Sequence, residues 1–348
     1  MLTFSRGRRG HSHGTLVSVP ASLASVISGL LLCSVLFSGP AAASVGDRLP
    51  EFRECVQICE HENCGADAEH HTPIPLYRRL LLWTCPSECD YTCQHIITSA
   101  RLAALPPQPV VQFHGKWPFT RVLGIQEPMS MLFSLGNLYA HYDGLAKVRA
   151  TMPASYSMRR FYIALAYVGM VTWTFSAIFH TRDFPATEQL DYFAAGASVL
   201  YGLYYAVIRL FRLDRPTPTR QSVLRAWSAS CAGLYLAHVA YLKLWSWDYS
   251  YNMAANVAVG TVQNALWSWF SWDRYRRSRR AWAAWPGVVV AWILVAMSLE
   301  LLDFAPIGGA LDAHSLWHLG TIAPAILWYN FLVKDAQDDM AGSERLKG

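Results

Sequence analysis

The sequence predicts an all-α membrane protein, a seven-transmembrane helix bundle with a small N-terminal disulfide-rich domain in the secretory lumen. Three observations carry that reading. Of 348 residues, 53% are hydrophobic and only 15% charged, with 14 Trp and 17 Tyr, which is too apolar for an ordinary soluble enzyme. Apolar segments near span length recur from Pro128 onward. Lys and Arg, whose excess gives a net charge of +5, gather in alternate loops between those segments. Nucleic-acid binding would require a basic stripe with aromatics on a soluble face, so membrane lipids, and no nucleic acid, are the expected partners.

Residues 1–43 read as a signal peptide. A basic start (Arg6, Arg8, Arg9) precedes an apolar run from Val26 to Phe37, and Pro40-Ala-Ala-Ala43-Ser44 offers a small-residue cleavage site. An uncleaved anchor is the alternative, and either one delivers the next segment to the lumen.

Residues 44–110 form the predicted cysteine-rich domain. Of 8 cysteines, Cys33 falls in the signal and Cys231 in an apolar span, as a packed thiol. The rest form two triplets, Cys55-x3-Cys59-x4-Cys64 and Cys85-x3-Cys89-x3-Cys93. An even set in an oxidising compartment reads as a disulfide framework, and the sequence leaves its pairing open. A zinc site helped by His61, His70 and His71 has acceptable spacing but the wrong compartment. Pro106-Pro-Gln-Pro109 closes the domain as a linker.

Residues 111–333 make up the bundle. His114-Gly-Lys-Trp-Pro-Phe119 mixes aromatic and basic residues, as at a membrane interface. Apolar segments follow at 128–141, 161–180, 190–211, 223–244, 253–270, 282–302 and 315–333, the first of them short and polar. The loops 143–160, 209–225 and 274–280 are rich in Lys and Arg, whereas the intervening loops carry only Arg182 among several acids. By the positive-inside rule the cysteine-rich domain is lumenal and residues 334–348 are a cytosolic tail.

That topology gathers chemistry at one face. His180 ends the second span, Asp191 begins the third, and His314 and His318 begin the seventh, all on the lumenal side. Ser176 lies one helical turn below His180. Ionisable groups inside membrane segments are costly and usually functional. Three neutral imidazoles with an open fourth position suit catalytic zinc, with Asp191 as general base and Ser176 donating to an oxyanion or holding the water. A serine nucleophile is the competing use of these atoms, and it leaves two histidines unexplained. His238, mid-span, is read as packing only.

The pattern Ser176-x3-His180-x10-Asp191 with a late His314-x3-His318 resembles the signature of the CREST superfamily of seven-span membrane hydrolases. Within it the chain is most similar to the GPI-remodelling phospholipase family, that of post-GPI-attachment-to-proteins factor three. The cysteine triplets, Phe113-His-Gly-Lys-Trp-Pro-Phe119 and Gln126-Glu-Pro128 with Ser130, Ser134 and Asn137 support this. The likeness runs from about Gly46 through the last span. It implies a zinc-dependent hydrolase (cofactor Zn2+) that removes the sn-2 acyl chain from GPI-anchored proteins in the endoplasmic reticulum or Golgi membrane. By the family pattern His180, His314 and His318 would hold zinc, Asp191 would serve the water and Ser176 would support the oxyanion. Glu127 would take a structural or supporting role. The alternatives are a ceramidase-like amidase, although the ceramidases it resembles lack a cysteine domain, and a non-catalytic receptor or chaperone for GPI-anchored proteins.

Overall fold

The computed structural model describes residues 44–64 and 73–345. The signal peptide expected at 1–43, with His70 and His71, lies outside the described residues. Ten α-helices form among the described residues: α1 (Pro50–Asn63), α2 (Leu76–Leu80), α3 (Cys85–Ala103), α4 (Pro128–Thr151), α5 (Arg159–Thr181), α6 (Pro185–Phe211), α7 (Pro218–Ala240), α8 (Tyr249–Ser278), α9 (Trp285–Leu302) and α10 (Ala313–Arg345). Pairing of β type is limited there to isolated bridges, including Phe113 with Lys116.

The cysteine spacing explains the N-terminal domain. Residues four apart share a helix face, so Cys85, Cys89 and Cys93 line one side of α3. They meet the first triplet as three nested rungs: Cys55–Cys93, Cys59–Cys89 and Cys64–Cys85, with Cα–Cα distances of 5.8, 5.6 and 5.5 Å. Nested pairing requires α1 and α3 to run antiparallel. Their shared apolar core is small (Phe52, Cys93, Ile97, Val111 and Phe113), and such cores ordinarily need covalent staples. Closing a loop of this size restricts the unfolded chain by roughly 3–4 kcal/mol.

Polar contacts dock this domain on the bundle. Trp83 Nε1 donates to the Gly124 carbonyl at 2.8 Å. Its ring lies between the guanidiniums of Arg121, at 3.6 Å, and Arg182, at 3.7 Å, a cation–π sandwich joining the domain to the α5–α6 loop. Gln112 and Trp117 both donate to Asp303, and Thr120 N–H donates to the Gly309 carbonyl, tying in the α9–α10 loop.

In the bundle α4 packs between α5 and α10, α5 against α6, and α9 against α10, while α7 flanks α6. Close approach needs glycine at two points. A Cβ on Gly144 would lie 2.3 Å from the Tyr329 ring, and one on Gly169 2.2 Å from His141 Nδ1. Those two partners also hydrogen-bond each other at 2.8 Å, which knits α4, α5 and α10.

Four helical stretches are long and apolar enough to cross a membrane: Arg159–Thr181, Pro185–Phe211, Ala281–Leu299 and Ala313–Gly342. The chain is thus a multi-pass membrane protein. The other three segments read as spans also form helices, α4, α7 and α8, of 24, 23 and 30 residues. They have the length, but polar and charged side chains keep them outside that set.

Helices α6 and α7 begin about one turn ahead of the expected segments, and three helices run well past theirs. Helix α4 runs on to Thr151 through the expected loop, with Lys147 paired to Asp143 at 2.7 Å one turn away. Helix α8 likewise continues through the expected Arg-rich loop to Ser278. Helix α10 continues to Arg345 through the stretch expected as a tail. The reason is on its surface: Asp335 accepts both arms of Arg209 at 2.6 and 2.7 Å, and Asp339 those of Arg212 at 2.6 and 2.8 Å. Asp338 pairs with Arg274 and Arg280. His238, read from the sequence as packing only, sits beside the Tyr251 ring and hydrogen-bonds its hydroxyl at 3.4 Å.

Arg209 and Asp335 are both buried, so removing one partner strands a charge. Arg209→Ala is expected to cost about 3–5 kcal/mol, read as a lowered unfolding temperature in detergent. The double change Arg209→Met with Asp335→Leu is expected to recover most of the loss. Non-reducing peptide mapping is expected to return the three nested cysteine pairs.

Candidate functional site

The site forms where α4 begins, α5 ends, and α6 and α10 begin. Two backbone bonds set the entry of α4 against the end of α5: Gln126 N–H to the Thr181 carbonyl at 3.0 Å, and Glu127 N–H to the His180 carbonyl at 2.9 Å. Helix α10 opens on a reciprocal cap. Ser315 N–H donates to Asp312 Oδ1 at 2.8 Å, and Asp312 N–H to Ser315 Oγ at 3.0 Å. That start puts His314 and His318 on one face, toward the end of α5.

The three histidines expected to act together do meet. Ring centroids lie 5.2 Å apart for His180–His314, 4.9 Å for His180–His318 and 4.6 Å for His314–His318. One ring nitrogen from each falls within 4.8 Å of the others. His180 and His318 are buried and His314 is half-buried.

The hydrogen-bond network assigns two of the tautomers. Glu127 Oε2 lies 2.7 Å from His180 Nδ1, and an ionised carboxylate only accepts, so His180 carries its proton on Nδ1. In the neutral imidazole its Nε2 is then a lone pair, and that atom is buried and without a hydrogen-bond partner. His318 Nδ1 faces Ser134 Oγ at 3.0 Å and the Ser130 carbonyl at 3.3 Å. Ser134 Oγ also contacts that carbonyl at 2.7 Å, spending its own proton there. His318 must therefore donate from Nδ1, which leaves its Nε2 as a second lone pair. Asn137 Nδ2 fixes the helix beneath by donating to the His318 carbonyl at 2.8 Å.

Ser176, one turn inside His180, contacts Ser134 Oγ at 3.1 Å. With the Ser134 proton spent, Ser176 donates to it and keeps its lone pairs for another donor. Asp191 is half-buried in α6 and interacts electrostatically with His180 and His314. Beside it Tyr192 stacks on Trp247, centroids 5.5 Å apart.

Glu127 is almost fully buried, at 4% exposure, and its charge is held from two sides. Lys116 Nζ lies 2.5 Å from Oε1, opposite the His180 contact. Burial alone would raise the Glu127 pKa, but the Lys116 ammonium, with the hydrogen bonds from His180 and Lys116, outweighs it and holds the carboxyl well below the usual range. Burial would likewise depress Lys116, but Glu127 and Asp183 hold it above the ordinary lysine value.

Donor chemistry fits a metal at the histidines, since the three rings cluster, two of them have Nε2 left free of their hydrogen bonds at Nδ1, and one of those is a buried orphan. Cys64, Cys85 and Cys89 also cluster, but all three are in disulfides and have no thiolate to offer. Sequence reasoning did not assign roles to Lys116, Ser130, Ser134 or Asn137. The last three sit at i, i+4 and i+7 of α4, a polar stripe in an apolar segment, which was a usable signal. Lys116 offered none, because its partner Glu127 lies beyond an irregular turn.

The Per1-like family matches residues 75–336. The Protein PER1 homolog of Schizosaccharomyces pombe is 41% identical over 307 residues, covering 88% of this chain and 92% of its own length. The GPI-specific phospholipase A2-like PGAP3 of Mus musculus is 41% identical over 309 residues, 88% of this chain and 93% of that protein. That of Homo sapiens is 39% identical over 315 residues, 89% and 96%. No solved structure matches. With that family model and these relatives spanning nearly its whole length, the chain belongs to the Per1-like family.

Proposed function

We propose that this protein is a zinc-dependent lipid ester hydrolase of phospholipase A2 type, removing the sn-2 acyl chain from the inositol phospholipid of GPI-anchored proteins. The observation that carries the proposal is the three-histidine cluster, with the His180 and His318 Nε2 lone pairs directed by hydrogen bonds at Nδ1. The relatives named as GPI-specific phospholipase A2-like supply the substrate class. Orientation follows the loop charges: the cysteine-rich domain is lumenal, on the side of the GPI glycan, in the endoplasmic reticulum or Golgi.

His180, His314 and His318 would hold zinc, which when bound polarises an ester carbonyl and makes water acidic enough to ionise near neutral pH. Asp191 of α6, which interacts electrostatically with His180 and His314, would take the water proton and return it to the leaving alcohol. With its proton directed at Ser134, Ser176 would accept from that water, which favours orienting water over donating to an oxyanion. Glu127 and Ser134 keep two imidazoles in the tautomer that leaves Nε2 free. The ester of a GPI anchor lies just under the headgroups, the depth expected of residues at span ends.

In cells lacking the protein, GPI anchors are expected to retain their original sn-2 chain, with exchange restored by wild type. Asp191→Asn is expected to restore about 10²–10⁴-fold less, the usual share of a general base. Full rescue by Asp191→Asn and by His318→Ala would instead mark a receptor or chaperone. Ceramide accumulating beside unchanged anchors would mark an amidase. Purified wild-type protein is expected to carry about one zinc per chain, and His314→Ala much less.

A further inference from the structure

The sequence places Lys116 beyond the cysteine-rich domain's end at 110, but Val111 and Phe113 pack in that domain's core. Lys116 thus sits in a turn held by it, and its ammonium reaches Glu127 beside the histidines. The turn is tightly specified. Backbone hydrogen bonds run both ways between Phe113 and Lys116, at 2.8 and 2.9 Å, and His114 and Gly115 take left-handed φ of 52° and 80° to close it. Asp47 Oδ1 accepts the His114 N–H at 2.8 Å, and Asp90 of α3 pairs with His114 Nε2 at 2.8 Å. Phe113 is buried against Phe52 of α1, ring centroids 4.7 Å apart. Both helices that grip the turn are the ones stapled by the disulfides.

From this anchor Lys116 Nζ reaches Glu127 Oε1 at 2.5 Å, Asp183 Oδ2 at 3.1 Å and the Phe179 ring at 4.0 Å. Glu127 thus divides its two oxygens, one to Lys116 and one to His180 Nδ1. A buried carboxylate is tolerated only when paired. Without the ammonium, Glu127 keeps a single anchor in a site that penalises its charge, and is driven to turn toward water and away from His180.

We propose that Lys116 is a positioning residue: it holds Glu127, Glu127 holds the His180 ring, and the disulfide-stapled domain thereby determines whether the three-imidazole site is assembled. Outer partners of metal-binding histidines typically contribute 10–100-fold in metal affinity or activity, which sets the expected size of the effect. The inference rests on the zinc-hydrolase reading and adds to it a role for the cysteine-rich domain.

The test uses the full-length protein with Lys116→Met, Lys116→Arg, Glu127→Gln and the double variant Lys116→Met/Glu127→Gln. Zinc retention against a chelator series, disulfide mapping and GPI-lipid exchange in knockout cells are the readouts. Lys116→Met is expected to keep all three disulfides while losing about 10–100-fold in zinc affinity and in exchange. Lys116→Arg is expected to recover most of both, and the double variant to be no worse than Glu127→Gln, because the two act as one unit. Wild-type zinc affinity in Lys116→Met would overturn the proposal, as would losses that multiply in the double variant. If wild type holds no zinc but exchange still falls non-additively, the metal reading fails and the Lys116–Glu127–His180 coupling stands.

Discussion

The hydrogen bond from His180 Nδ1 to Glu127, 2.7 Å long and buried, is the contact on which the site depends. It joins the first residue before α4 to the last turn of α5, and beside it the backbones of the same two segments are paired. In so apolar a setting a carboxylate and an imidazole persist only if every strong donor and acceptor is answered. Here Lys116 answers one side of Glu127 and His180 the other. What stays unanswered is His180 Nε2, on the ring that meets the other two histidines. An unpaired buried nitrogen is a cost the fold bears at the place where chemistry needs a lone pair.

Helix α10 ties the two ends of the bundle together. Its first turns carry His314 and His318, and its last turns carry Asp335, Asp338 and Asp339. The first group meets α4 and α5; the second is clamped by arginines from α6, the loop after it, α8 and Arg280 just beyond α8. The clamp fixes the position of α10 along the bundle axis, and so the depth at which its imidazoles meet His180. Asn137 adds a lock from α4 at the site itself. Positional accuracy at the histidines thus comes from charges at the far end as well as from neighbours.

Much of this was legible beforehand. Helical spacing alone puts Ser176 with His180 and His314 with His318, and the alternation of loop charge puts both pairs at one end of the bundle, where the three imidazoles meet. The cysteine triplets announced a stapled domain, and their regular spacing on α3 is what allows nested rungs, but pairing depends on which way α1 runs and no local signal states that. Helices α4, α8 and α10 outrun the apolar segments because hydropathy reports where lipid ends, whereas helices continue in water when charges pair along them, as Asp143 with Lys147, or across to a neighbouring segment, as Asp339 with Arg212. Lys116 was invisible as a site residue because its role arises from a turn gripped by two other helices. Long-range partners of this kind, such as Asp303 with Gln112 and Trp117, leave no periodic trace in the sequence.

Zinc-edge X-ray absorption on the purified wild-type protein addresses the central claim most directly. Imidazole nitrogens at about 2.0–2.1 Å, three of them with one further light atom, are expected, with no sulfur shell. A sulfur shell near ~2.3 Å, or a protein that remodels GPI lipids while carrying no metal, would contradict it.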